Sequence, residues 1–128
     1  MNADQVISQL KKKYSGKTII SLPEKNPTEI LYEVESTLDH PEYSLAIAVV
    51  DKSTPHVHLK TTETYKVIHG SLILYIDDKP FSLKQGDDHT IKLGQTHWAE
   101  GDQTWVECYS KPGWTLEDHI ITTSDQLK

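Results

Sequence analysis

After Gly16 the chain runs as short β-branched and aromatic segments, each closed within ~8–12 residues by a turn signal. Gly70, Asp77-Asp78, Gly86-Asp87-Asp88, Gly94-Gln95-Thr96 and Lys111-Pro112-Gly113 punctuate it. A segment of five or six residues cannot bury enough apolar surface alone, so many such segments must close on one another. The spacing predicts an all-β sandwich or barrel. The expected strands are Thr18–Leu22, 30–35, 45–50, 64–69, Ser71–Ile76, 79–83, 89–93, 104–110 and 119–123. Ile30, Tyr32 and Val34 alternate with Leu31, Glu33 and Glu35, which predicts a half-buried strand. Segment 45–50 is apolar on both faces and is expected to be central.

Before Gly16 the pattern changes period. Val6, Ile7, Leu10 and Tyr14 share one helical stripe and predict a helix over 3–14. Asn2 or Asp4 suits its start, and Lys11, Lys12 and Lys13 suit the negative end of its dipole. With 128 residues, the expectation is a single domain over 1–128, with the helix in 1–16.

Composition excludes several classes. The longest apolar stretch, 45–50, is far shorter than a membrane-spanning helix. Met1-Asn2-Ala3-Asp4 shows no basic region leading into an apolar run, and Cys108 is the one cysteine. Disulfide and zinc-finger scaffolds are therefore excluded, and a cytoplasmic protein is expected. The net charge is -6, and Lys11–Lys13 is the one basic cluster, which argues against nucleic acid as a partner. All 13 basic residues are Lys, so no Arg fork is available for a carboxylate or phosphate. A charged ligand would have to be met by Lys, backbone N–H groups or a metal.

The seven histidines carry the chemistry. His56-Val57-His58 places two imidazoles on one face of a strand, a natural chelate for a divalent ion. Glu63 lies five residues beyond His58 and would face the wrong way on an unbroken strand. A bend at Lys60-Thr61-Thr62 is needed to turn it back. His97 follows the Gly94-Gln95-Thr96 turn and is the fourth candidate. Three imidazoles and one carboxylate suit Fe, Mn, Ni, Cu or Zn.

These segments together resemble the two motifs of the cupin superfamily. The first is His56-Val57-His58-Leu59-Lys60-Thr61-Thr62-Glu63 followed by Gly70; the second is Gly86-Asp87 followed by Gly94-Gln95-Thr96-His97. Lys92 stands where the family often has Pro, and Ala99-Glu100-Gly101-Asp102 stands in place of its terminal Asn. The resemblance covers about residues 45–110. It implies a small antiparallel jelly-roll barrel, a double-stranded β-helix. It implies that His56, His58, Glu63 and His97 converge inside the barrel on one divalent transition metal, and that two copies pair as a homodimer.

Tyr65 shares parity with Glu63 and is expected to line the same interior. Trp98 follows a ligand and should point away, as a packing residue. Trp105, Glu107 and Tyr109 form one face of a strand, Val106 and Cys108 the other, and the alternation leaves open which is interior. His40, His69, His89 and His119 are set aside, and Trp114 is assigned to packing or to a loop over a barrel mouth or a dimer seam. The expected function is that of an enzyme using the metal as a Lewis acid on a sugar, sugar acid or keto acid, by isomerase, epimerase or lyase chemistry. Tyr65 and Glu107 are the candidate proton carriers. An iron-dependent dioxygenase and a non-catalytic binding module are the alternatives.

Overall fold

The computed structural model describes residues 1–16 and 18–122. Helix α1 spans Ala3–Lys13 and begins at Asn2, whose Oδ1 accepts a hydrogen bond from Gln5 N at 3.2 Å. It ends one residue before the expected limit, because Tyr14 turns to an extended backbone. Ten strands follow among the described residues: β1 (Thr18–Leu22), β2 (Glu29–Glu35), β3 (Ser44–Lys52), β4 (His56–Val57), β5 (Thr62–His69), β6 (Ser71–Ile76), β7 (Lys79–Lys84), β8 (Asp88–Ile91), β9 (His97–Lys111) and β10 (Ile120–Ile121). Every pairing is antiparallel. The expected last strand shortens to two residues of β10 paired with β4, and Thr123 lies outside the described residues.

The order β1-β2-β3-β9-β5-β8 builds one wall, using the C-terminal half of β9. The order β7-β6-β9-β4-β10 builds the other, using its N-terminal half. The expected strand over 104–110 is therefore the second half of a 15-residue strand. It does not stop at 104 because Gln103 takes a left-handed backbone (φ 45) and donates its N–H to Asp51 Oδ1 at 2.7 Å, so pairing continues around a bend. Gly101 sits at the same bend, where a Cβ would run into the Thr104 side chain and stand 2.9 Å from Val50 O. Gly101→Ala is expected to cost about 1–3 kcal/mol by overpacking. A thermal melt unchanged from wild type would refute that reading of the bend.

Two apolar clusters lie on opposite faces of the first wall. Outside, Val6 and Leu10 of α1 pack on Ile30, Tyr32, Ile47, Val49 and Trp105. Inside, Ala48, Val50, Tyr65, Val67, Leu74, Val106 and Cys108 fill the barrel. This is why β3 is apolar on both faces: Ile47 and Val49 meet the helix, while Ala48 and Val50 meet the interior. Strand β2 departs from the half-buried expectation, because α1 covers one face and the barrel encloses the other. Glu29, Leu31 and Glu33 thus face inward.

Candidate metal centre and cavity

The topology brings the sequence-distant ligands together at one end of the barrel. His56 on β4 stands opposite His97, the first residue of β9. His58 lies just beyond β4, and Glu63 is near the start of β5. All four are buried, His97 completely. One ligand atom from each falls within 4.8 Å of all the others.

The bend required between His58 and Glu63 is present, and Asp118 holds it. Its Oδ1 accepts the N–H groups of Leu59 (3.0 Å) and Lys60 (3.1 Å), and its Oδ2 accepts those of Lys60 (3.1 Å) and Thr61 (3.0 Å). The Thr61 hydroxyl donates to Pro112 O at 3.1 Å, closing the bend from the other side. No sequence signal marked Asp118, since 57 residues separate it from Thr61.

The histidine tautomers follow from the backbone. Nδ1 of His56 meets Thr54 O at 2.8 Å, Nδ1 of His58 meets Asp118 O at 2.9 Å, and Nδ1 of His97 meets Gln95 O at 3.0 Å. A carbonyl can only accept, so each Nδ1 carries a proton, and a ring with no second proton offers a bare Nε2 lone pair. Two of those lone pairs face one carboxylate oxygen: Glu63 Oε1 is 3.0 Å from His58 Nε2 and 3.2 Å from His97 Nε2. Lone pair against lone pair is repulsive unless a proton or a metal ion lies between them. For His58 the contact also lacks hydrogen-bond geometry, leaving Nε2 a buried nitrogen with no partner.

A divalent metal satisfies this arrangement. Two donors at right angles, each about 2.1 Å from one ion, stand about 3 Å apart. The donor set also has the borderline softness that first-row metals prefer. Electrostatics agree. Burial disfavours the charge on Glu63, but hydrogen bonds and positive charge from His58 and His97, which need a proton on Nε2, hold the carboxyl well below its usual range, and an ion in that place would supply the same positive charge. Burial, with His97 and His119 nearby, pushes His56 well below its ordinary value, which keeps its Nε2 available.

A cavity opens beside the cluster, reached by His56 and Glu63 and lined by Glu29, Leu31, Glu33, Ser44, Tyr65, Cys108, Ser110, Trp114 and His119 among others. Tyr65 points inward as expected, its ring centroid 6.2 Å from that of His97. Burial pushes its hydroxyl well above its ordinary value, so it stays protonated. Cys108 is inside, and burial likewise raises its thiol. Glu107 lies on the opposite face of β9, with Trp105 and Tyr109, and the geometry does not bring it to the cluster. Trp98 turns away and stacks on Tyr75 at 4.1 Å.

Three cavity residues were set aside or left unmarked by the sequence. His119 stacks on His56 with centroids 4.0 Å apart. Its Nδ1 accepts the indole N–H of Trp114 at 3.3 Å, and burial lowers its pKa to about 4. Trp114 thus lines the cavity. Glu29 is 6% exposed, and its carboxyl is pushed up to about 8 by burial and then by the charge of Glu63. It carried no signal because the polar face of β2 reads as a solvent face.

No family model and no curated protein matches the chain. Solved structures do. Pac13, a nucleoside dehydratase, matches with TM-score 0.70 and 14% identity, over 88% of this chain and 93% of its own. Variants of that Streptomyces protein were solved with uridine. A conserved protein with a double-stranded β-helix domain from Klebsiella pneumoniae matches with TM-score 0.63 and 21% identity, over 80% and 81%. A cupin-superfamily sugar phosphate isomerase from Silicibacter pomeroyi matches with TM-score 0.56 and 15% identity, over 66% and 59%.

Proposed function

We propose, from a chain that has the cupin double-stranded β-helix fold, that His56, His58, Glu63 and His97 hold one divalent transition metal and that the cavity beside them is the active site of an enzyme on a small oxygen-rich molecule. The observation that carries this reading is the set of three Nδ1–carbonyl bonds, which leaves Nε2 of each ring for an ion, with those of His58 and His97 beside the Glu63 carboxylate. Such outer partners fix tautomer and ring orientation before any ion arrives.

When bound, a metal there supplies Lewis acidity toward a hydroxyl or carbonyl oxygen. The chain supplies the rest. The Tyr65 hydroxyl, kept protonated by burial, lines the cavity and is a candidate proton donor to a bound molecule. His119, neutral and held by Trp114 through Nδ1, presents its Nε2–H. The Trp114 indole narrows the mouth and excludes water from the bound molecule. Isomerase, epimerase or lyase chemistry needs only these parts. The dehydratase and isomerase among the structural neighbours support that class.

Metal analysis of protein purified without a metal-affinity column tests the reading. About one equivalent is expected in wild type and none in the His56→Ala/His58→Ala variant. A full equivalent in the double variant would reject the ligand assignment. Iron as the resident ion, with oxygen uptake on adding substrate, would redirect the reading to a dioxygenase. The homodimer and the cytoplasmic setting are expectations that belong to the same proposal.

A further inference from the structure

Strand β2 sends Glu29, Leu31 and Glu33 into the cavity, two carboxyls four residues apart on one strand face. At ~3.3 Å per residue they are ~13 Å apart along the strand, so they mark two separate levels of the cavity wall. Glu29 is the deeper, and its carboxyl makes no hydrogen bond to the described residues. Nothing in barrel packing requires it there, since Leu31 fills the same face between the two acids.

The remaining lining decides what such acids could bind. The chain has no Arg, and no Lys among the described residues lines the cavity. A carboxylate or phosphate on a ligand would find no cationic side chain on these walls, and the charge of a divalent ion at the cluster would already be set against Glu63, Glu29 and Glu33. If Glu29 is ionised it repels that group, and if it is protonated it offers one O–H against a full charge. A sugar-like hydroxyl, by contrast, is donor and acceptor at once. The cavity matches it with Glu29, Glu33, Ser44 and Ser110.

We propose that Glu29 and Glu33 are the specificity-determining residues of the cavity, and that they select an uncharged, hydroxyl-rich molecule over its carboxylate or phosphate counterpart. The inference rests on reading the cavity as a small-molecule site and narrows it by removing sugar acids and keto acids. It also answers the question posed by the missing Arg: the ligand carries no charge that needs one.

The test is calorimetric titration of the metal-loaded protein with two matched series. One is glucose, glucuronate and glucose 6-phosphate; the other is uridine and uridine monophosphate. In at least one series the neutral member is expected to bind about tenfold tighter than its charged counterpart, a difference of about 1.4 kcal/mol. Glu29→Gln/Glu33→Gln is expected to reduce that preference to about twofold or less. Glu33→Gln alone, at the more open position, is expected to reduce it by about threefold. Three outcomes would overturn the proposal: in both series a charged member binding as tightly as the neutral one, no neutral member binding in either series, or a preference unchanged in the variants. Metal content measured on the same samples separates this from the metal reading. Charge preference without metal rejects only the latter. A full equivalent of metal with a preference for anions rejects only the former.

Discussion

Asp118→Ala is expected to destabilise the protein by about 3–5 kcal/mol, because three backbone N–H groups lose one buried carboxylate. Leu59, Lys60 and Thr61 form a bend that no regular strand would supply, and their donors point inward toward Asp118. Each such charge-assisted bond contributes about 1.5–3 kcal/mol, less what water recovers once the loop opens. For a chain of this size the loss corresponds to a fall of roughly 10–20 °C in melting temperature. Asp118→Asn keeps one carbonyl acceptor and should lose about half as much. The bend also sets the position of Glu63, so metal affinity should fall together with stability. A thermal melt and a metal titration on the same sample measure both. An alanine variant melting within about 2 °C of wild type would show that the bend stands without its cap.

Glu29→Gln is expected to act in the opposite direction. The folded carboxyl has a pKa of about 8 against an ordinary 4.5, so the folded state binds this proton more tightly than the unfolded chain does. Below pH 4.5 both states are protonated and the group takes nothing from stability. As pH rises from 4.5 toward about 8 the unfolded chain ionises first, and stability falls across that window. At about 1.4 kcal/mol per unit the loss by pH 8 is on the order of 4 kcal/mol. Glutamine does not titrate, so the variant should gain stability over wild type progressively between pH 4.5 and 8. Other groups move too: His119, lowered to about 4, adds stability as pH rises from 4 toward 6.5. The difference between the two profiles cancels those shared contributions. Denaturant melts of chelator-treated protein at several pH values supply it. Parallel profiles would mean that Glu29 reaches solvent.

The sequence made legible what depends on local chain chemistry. Asn2 is a cap because a short side chain can reach back to Gln5 N. His56 and His58 meet because strand parity places them together. It hid what depends on closure of the barrel. Asp118 and His119 reach the cluster by a return of the chain along β10, and nothing near either residue announces that return. Strand β2 misled for a physical reason. Alternation reports only that one face differs from the other, and an enclosed polar cavity gives the same pattern as solvent. Glu107 was open for the converse reason. Trp105 and Tyr109 made its face look as apolar as that of Cys108, and the helix claimed it.

The 15-residue strand β9 belongs to both walls and begins with a ligand. The candidate centre therefore has no scaffold of its own. Freeing His97 from its place means lifting the strand that also borders β3, β5 and β6. Amide exchange along β9 should then proceed only through whole-molecule opening, with no sub-global route that loosens the cluster and spares the barrel. Heat or denaturant would take the ion and the fold in one event, and the chain would have no half-assembled state in which to hold an ion wrongly.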